Sequence, residues 1–281
     1  MRTRNTKMLF ALLHLGAATT AFQQVEGQLS APRPRNASTR ADTVADLPRR
    51  CATPPLGCTL ISDRHFVALN EAGWTDYRAT NFSLVPDATA PQVQPTVGQV
   101  LYPAGFGGGT EPVNLYVPLG NRATLYLSFW LKISPNFYGH PNSSVNKIFH
   151  IWIGGVNRVY LAAMGAGTTA SFQPQVRLQQ VPAQGNYNLG PNLVPSTAMV
   201  RDRWYKWEVV LRTNTPGVAD GSVEFWLNGV KVASYPAVQF VAAGQGNTWE
   251  SINWAPTWGG TGGVVPADQW MRMNEIYLSG R

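Results

Sequence analysis

The chain has 281 residues, 44% hydrophobic and only 13% charged, with 27 glycines, 21 prolines and a formal charge of +7. That apolar content excludes disorder over most of the length, and the lack of Ala/Glu/Lys/Leu-rich segments excludes a helical bundle. The charge does not mark a nucleic-acid protein: residues 1–50 hold eight basic side chains against three acidic ones, and no Lys/Arg run follows them.

Arg2, Arg4 and Lys7 precede an apolar stretch from Met8 to Ala21, about 14 residues and too short to span a bilayer comfortably. Residues 1–28 therefore read as a secretory signal peptide, with small residues at Ala17, Ala18 and Ala21 for cleavage. The expectation is a secreted protein with no membrane contact once the signal is removed. Residues 29–50 are Pro, Arg, Ser, Thr and Ala with almost no large apolar side chain, which predicts a flexible linker. Cys51 and Cys58 are the only cysteines. In an exported chain such a close pair predicts a small disulfide loop at the start of a domain spanning 51–281.

From residue 60 onward, short alternating runs are separated by Gly, Pro and Asn, the pattern of β-strands. Leu125, Leu127, Phe129, Leu131 and Ile133 share one face of a strand, with Tyr126, Ser128, Trp130 and Lys132 on the other. Over 145–153, Phe149, Ile151 and Ile153 face one way, and Asn146, His150 and Trp152 the other; Ile148 is an apolar exception. Over 173–179, Val176 and Leu178 oppose Gln173, Gln175, Arg177 and Gln179. Tyr205, Trp207, Val209 and Leu211 oppose Trp204, Lys206, Glu208 and Arg212, and Val223, Phe225 and Leu227 oppose Glu224, Trp226 and Asn228. The last two runs flank a turn-rich loop, so they should form an antiparallel hairpin that brings Glu208 beside Trp226. Many short antiparallel strands predict an all-β sandwich or jelly roll. Segments 154–170 and 240–265 read as loops.

The stretch DRWYKWE from Asp202 to Glu208, followed by DGSVEFWLNG from Asp220 to Gly229, resembles a hairpin of the concanavalin A-like lectin/glucanase superfamily. The terminal NEIYLSG from Asn274 resembles its closing strand. The resemblance implies a jelly-roll β-sandwich of two antiparallel sheets, one of them concave and lined for glycans. It is weak on activity, because the superfamily holds lectins, glycosidases, polysaccharide lyases and adhesion modules.

The side chains opposite the core predict one polar, aromatic surface. Tyr126, Trp130, Trp152, Gln175, Gln179, Glu224 and Trp226 would bind polysaccharide, since indole rings pack on sugar C–H faces while amides and carboxylates bond hydroxyls. The competing expectation is that loops cover the tryptophans as a second small core. A glycosidase is disfavoured, because no E-x-D alternation occurs and retaining chemistry needs two nearby carboxylates. A lyase needs a cation for the uronate carboxylate, a base and an acid. His150, Arg177, Lys206 and Glu208 supply that inventory, with Arg177 and Gln175 on the carboxylate, His150 or Lys206 as base and Glu208 orienting. This loosely resembles jelly-roll polysaccharide lyases. Their Gln-Ile/Val-His triplet is replaced here by Lys147-Ile148-Phe149-His150. The main expectation is a glycan-binding module, the alternative a lyase acting on uronate polymers by β-elimination, and the third a surface domain without ligand. No cofactor or metal is expected; a structural calcium at Asp220 and Asn228 is an alternative that no motif spacing supports, and a turn role is favoured. The two glycine-rich segments Gly105–Gly109 and Gly259–Gly263 are expected to border the groove.

Overall fold

Alternating apolar residues leave each strand one inward side, and two sheets that share those sides form the molecule. A computed structural model describes residues 57–281 except 93–95, 156 and 182–184, all within one compact unit, Ala41–Arg281. The expected signal peptide, linker and Cys51 lie outside the described residues. No helix among the described residues is long and apolar enough to cross a membrane.

The strands in chain order are β1 (Thr59–Arg64), β2 (Thr75–Arg78), β3 (Phe82–Val85), β4 (Val97–Tyr102), β5 (Asn114–Arg122), β6 (Thr124–Ile133), β7 (Val145–Ile153), β8 (Asn157–Met164), β9 (Gln173–Val181), β10 (Gly185–Leu189), β11 (Tyr205–Arg212), β12 (Gly221–Leu227), β13 (Val230–Val238), β14 (Trp249–Trp254) and β15 (Gln269–Gly280). Sheet A runs β13-β12-β11-β6-β15-β4-β3, with β1 also paired to β15. Sheet B runs β10-β9-β8-β7-β14-β5-β2. The described ladders are antiparallel, giving an all-β jelly-roll sandwich. Segments 157–164 and 249–254, expected as loops, are strands at the centre of sheet B. The first is short and lies between Gly155 and Gly165, and the second has six residues, so their alternation is faint beside the longer runs.

The core lies between the sheets. Phe149 of β7 meets Phe129 of β6 with ring centroids 4.9 Å apart, and Phe129 stacks on Trp207, which stacks on Phe225. The β11–β12 hairpin forms in the expected register, Glu208 opposite Trp226. Asp220 closes the intervening loop as a turn residue, accepting from the Thr215 N–H and hydroxyl. Asn228 adopts a left-handed φ and accepts from the Lys206 N–H.

The outward face of sheet A departs from the expected groove. Trp226 and Tyr126 pack with Val210, Cys58 and Tyr277 into a small covered cluster. Glu208 is buried there and accepts from the Tyr126 hydroxyl at 3.1 Å. Glu224 pairs with Arg212 and Lys231. Along the same face, Asp87 reaches over from a loop to Arg272 at 2.9 Å and Lys132 at 3.4 Å. Burial pushes the Asp87 carboxyl up, but hydrogen bonds from Thr89 and Arg272 and the charge of Lys132 prevail and set it at about 2.

Because Trp226 seals this cluster, Trp226→Ala should lower stability in urea denaturation by about 3–5 kcal/mol, as for a core aromatic. Glycan binding per folded molecule should stay unchanged. A variant that keeps its stability but loses binding would contradict the placement.

Candidate functional site

The polar side of sheet B is built by three neighbouring strands. In β9, Val176 and Leu178 enter the core, so Gln175, Arg177 and Gln179 face outward. In β8 the same alternation sends Arg158, Tyr160 and Ala162 outward, where the register pairs Arg158 with Gln179, Tyr160 with Arg177 and Ala162 with Gln175. In β7 His150 pairs with Tyr160 and Trp152 with Arg158. The register slips between Lys147 and Phe149, which leaves Ile148 as an extra residue and places Lys147 opposite Ala162. This β-bulge explains the apolar exception in the sequence. It puts Lys147 on the outward face with His150 and turns Asn146 toward the carbonyls of Ala163 and Gly165. Asn146 therefore does not share the face of His150, contrary to simple alternation.

An open cavity of about 330 Å³ lies on this face, its lining including Lys147, His150, Trp152, Arg158 and, as the single carboxylate among the lining residues, Glu111. Gly109 closes one side. Beside Gly109 the first glycine-rich segment meets the second, the Gly108 N–H donating to Gly263 O and the Gly109 N–H to Trp258 O. His140, fully buried, clasps the second segment through a 2.7 Å contact from Nε2 to Gly262 O. At Gly259, with φ +70, any Cβ would stand 1.9 Å from the His140 ring, so only glycine fits.

Electrostatics follow from packing. Lys147 Nζ lies 4.9 Å from the Tyr160 ring centroid and the Arg177 guanidinium 5.8 Å from the same ring. Burial lowers the Lys147 pKa, the charges of Arg158 and Arg177 lower it further, and Glu111 opposes them. Burial raises Tyr160, partly offset by Arg177 and Arg158. Burial brings His150 down to about 3, helped by Lys147 and Arg158. At neutral pH His150 is therefore an uncharged imidazole. Thr257 gives its hydroxyl proton to Ala255 O at 3.1 Å, so at 3.4 Å His150 Nε2 is the donor and Nδ1 the bare nitrogen.

The predicted site residues thus divide between two faces. His150, Trp152, Gln175, Arg177 and Gln179 share sheet B. Lys206, Glu208, Tyr126, Trp130, Glu224 and Trp226 lie on the outward face of sheet A, on the other side of the core. The expected convergence of Lys206 and Glu208 with His150 and Arg177 does not occur, because parity separates core from solvent but does not say which sheet a strand joins. Lys147, Arg158, Tyr160 and Glu111 were missed. The alternation in Arg158-Val159-Tyr160-Leu161 was a readable signal for two of them.

Elsewhere, at the end of β1 and on β15, Asp63, His65 and Glu275 bring ligand atoms within 4.8 Å of one another, a donor set that could hold a cation. Burial, then Asp63, raises the Glu275 carboxyl.

No family model matches the sequence, and no curated protein matches it. Solved structures do. A double variant of an alginate lyase in complex with alginate trisaccharide is 14% identical, with a TM-score of 0.58, over 78% of this chain and 98% of that one. The marine PL-14 alginate lyase from Aplysia kurodai is 11% identical, TM-score 0.56, over 79% and 100%. The endo-β-1,4-glucuronan lyase from the fungus Trichoderma reesei is 14% identical, TM-score 0.51, over 79% and 96%. At such identities the likeness is one of architecture: the chain carries the two-sheet jelly-roll fold of these structures.

Proposed function

We propose that the protein is a polysaccharide lyase that cleaves a uronate-containing polymer by β-elimination on the outward face of sheet B. The observation that carries this reading is the gathering of Lys147, Arg158 and Arg177 around Tyr160 and an uncharged His150. A hydrolase would need two carboxylates, whereas the cavity lining holds one, Glu111. A polyuronate brings the anionic charge that three cations favour. The lyase structures of the same architecture, including one holding an alginate oligosaccharide, support the choice over a pure binding module. Export, expected from the leader, belongs to this proposal, since such polymers lie outside the cell.

Arg177, with Gln175 beside it, binds the carboxylate of the reacting sugar in its planar fork and stabilises the charge that builds when the C5 proton leaves. Lys147 in its neutral form takes that proton. The C5–H electron pair becomes the C4=C5 double bond as the C4–O4 bond breaks. Tyr160, kept protonated by its raised pKa, gives its proton to O4 of the departing chain. His150 stays neutral and serves as a hydrogen-bonding wall.

Incubation with a panel of uronans should yield the ultraviolet-absorbing unsaturated product, and Lys147→Ala should reduce kcat about 10²–10⁴-fold, the usual size of a general-base contribution. Unchanged turnover in that variant would remove Lys147 from the role.

The pH dependence has a definite sign. A lysine base works deprotonated, so kcat/KM should rise with pH toward a Lys147 pKa that lies below the ordinary lysine value. His150 titrates at about 3, so His150→Asn should leave the shape of the profile unchanged between about pH 5 and 8. A limb near the ordinary histidine value, lost in that variant, would instead make His150 the base.

A further inference from the structure

One group in the cavity has no part in the elimination itself. The Arg158 guanidinium carbon lies 4.8 Å from the centroid of the Trp152 ring. One face of this indole is therefore occupied by the protein's own cation, which recasts Trp152 from the expected sugar platform into a seat for Arg158. The indole is itself held. Trp152 Nε1 donates to Asn253 Oδ1 at 3.1 Å, and Asn253 Nδ2 donates to Asn114 Oδ1 at 2.8 Å. Because an indole N–H can only donate, it fixes which way the Asn253 amide points. The chain crosses four adjacent strands, β5, β14, β7 and β8.

A stacked guanidinium has lost much of its side-chain freedom in advance and is weakly hydrated, two properties that suit capture of a carboxylate. Arg158 and Arg177 sit on neighbouring strands, Arg158 opposite Gln179 and Arg177 opposite Tyr160. That places them one strand spacing apart and two residues along, roughly 8 Å between Cα atoms. Two cations so spaced, both facing outward, can each meet a carboxylate of one extended uronate chain.

We propose that Arg158, seated on Trp152, is a specificity-determining residue that binds the carboxylate of the uronate next to the reacting one, with Asn253 as its positioning residue. This rests on the polyuronate reading of the same face.

The test compares a uronate tetrasaccharide with the same oligomer methyl-esterified on the neighbouring sugar. Affinity is measured by calorimetry, and KM and kcat by product absorbance. The wild-type protein should bind the esterified oligomer about 10–100-fold more weakly, the range for a hydrogen bond to a charged group. Arg158→Gln should lose the same factor on the free acid and show no further loss on the ester. Arg158→Lys should not rescue, because an ammonium lacks the planar fork. Asn253→Ala should move the free-acid KM in the same direction by a smaller factor and narrow the acid/ester ratio, which a merely structural defect would leave intact.

If wild-type protein binds and cleaves the acid while Arg158→Gln keeps the full acid/ester ratio, this inference falls and the lyase reading stands. Binding with the predicted discrimination but no cleavage sinks the lyase reading and leaves Arg158 in its role. No binding of any uronate oligomer overturns both.

Discussion

Phe149 lies edge-on to Phe129, 4.9 Å away in the facing sheet, and Trp207 and Phe225 continue the aromatic row on sheet A. This contact decides the chemistry available on either surface. Side chains along a strand alternate with period two, so once Phe129 and Trp207 point inward, Trp130, Lys206 and Glu208 must point away from the core on sheet A. Once Phe149 and Ile151 point inward, His150 and Trp152 must point away on sheet B. The two surfaces are separated by a core about 10 Å thick, and no side chain on one reaches the other.

The consequence for legibility is specific. Parity in the runs around Phe129, Val176, Val209 and Phe225 identified core and outward positions correctly, and the register of the β11–β12 hairpin followed from its loop. Sheet membership did not, because nothing local to Lys206 or His150 records that β11 pairs with β6 while β7 pairs with β14. Those pairings link residues far apart in sequence. Parity therefore groups on one face residues that the fold divides between two sheets. Arg158 and Tyr160 were hidden for a different reason: β8 sits between glycine-bearing turns, and its outward residues made it look like a covering loop.

The two outward faces also differ in how charge is balanced. On sheet A four cations are matched from within: Lys132 and Arg272 by Asp87, whose carboxyl stays ionised down to about 2, and Arg212 and Lys231 by Glu224. Tyr126 and Trp226 there are sealed into one cluster, while the half-buried Trp130, Trp204 and Trp270 lie beside Lys206, Lys132 and Arg272. Sheet B gathers Lys147, Arg158 and Arg177 about Tyr160, and Glu111, the one carboxylate lining the cavity, lies 3.7 Å from Arg78. Burial, and after it the charges of Arg158 and Arg177, lower the Lys147 pKa, which costs stability in the free protein. An anionic chain laid across the face would offset that cost.

The site itself depends on an irregularity. In an unbroken strand Lys147 would alternate with Ile148 and fall on the same side as Phe149 and Ile151, against the core. Insertion of Ile148 as a bulge residue turns Lys147 outward and lets Ile148, fully buried, enter the core instead. The same slip points Asn146 inward, where its amide bonds the Ala163 and Gly165 carbonyls and accepts from the His140 N–H. His140 in turn holds the glycine segment that borders the cavity. One extra residue thus sets the direction of the lysine and anchors the wall beside it. A departure from period two in an otherwise regular run, flanked by polar residues, is the sequence trace of that arrangement. Regular alternation builds the sandwich, and the break in it presents Lys147 beside Tyr160.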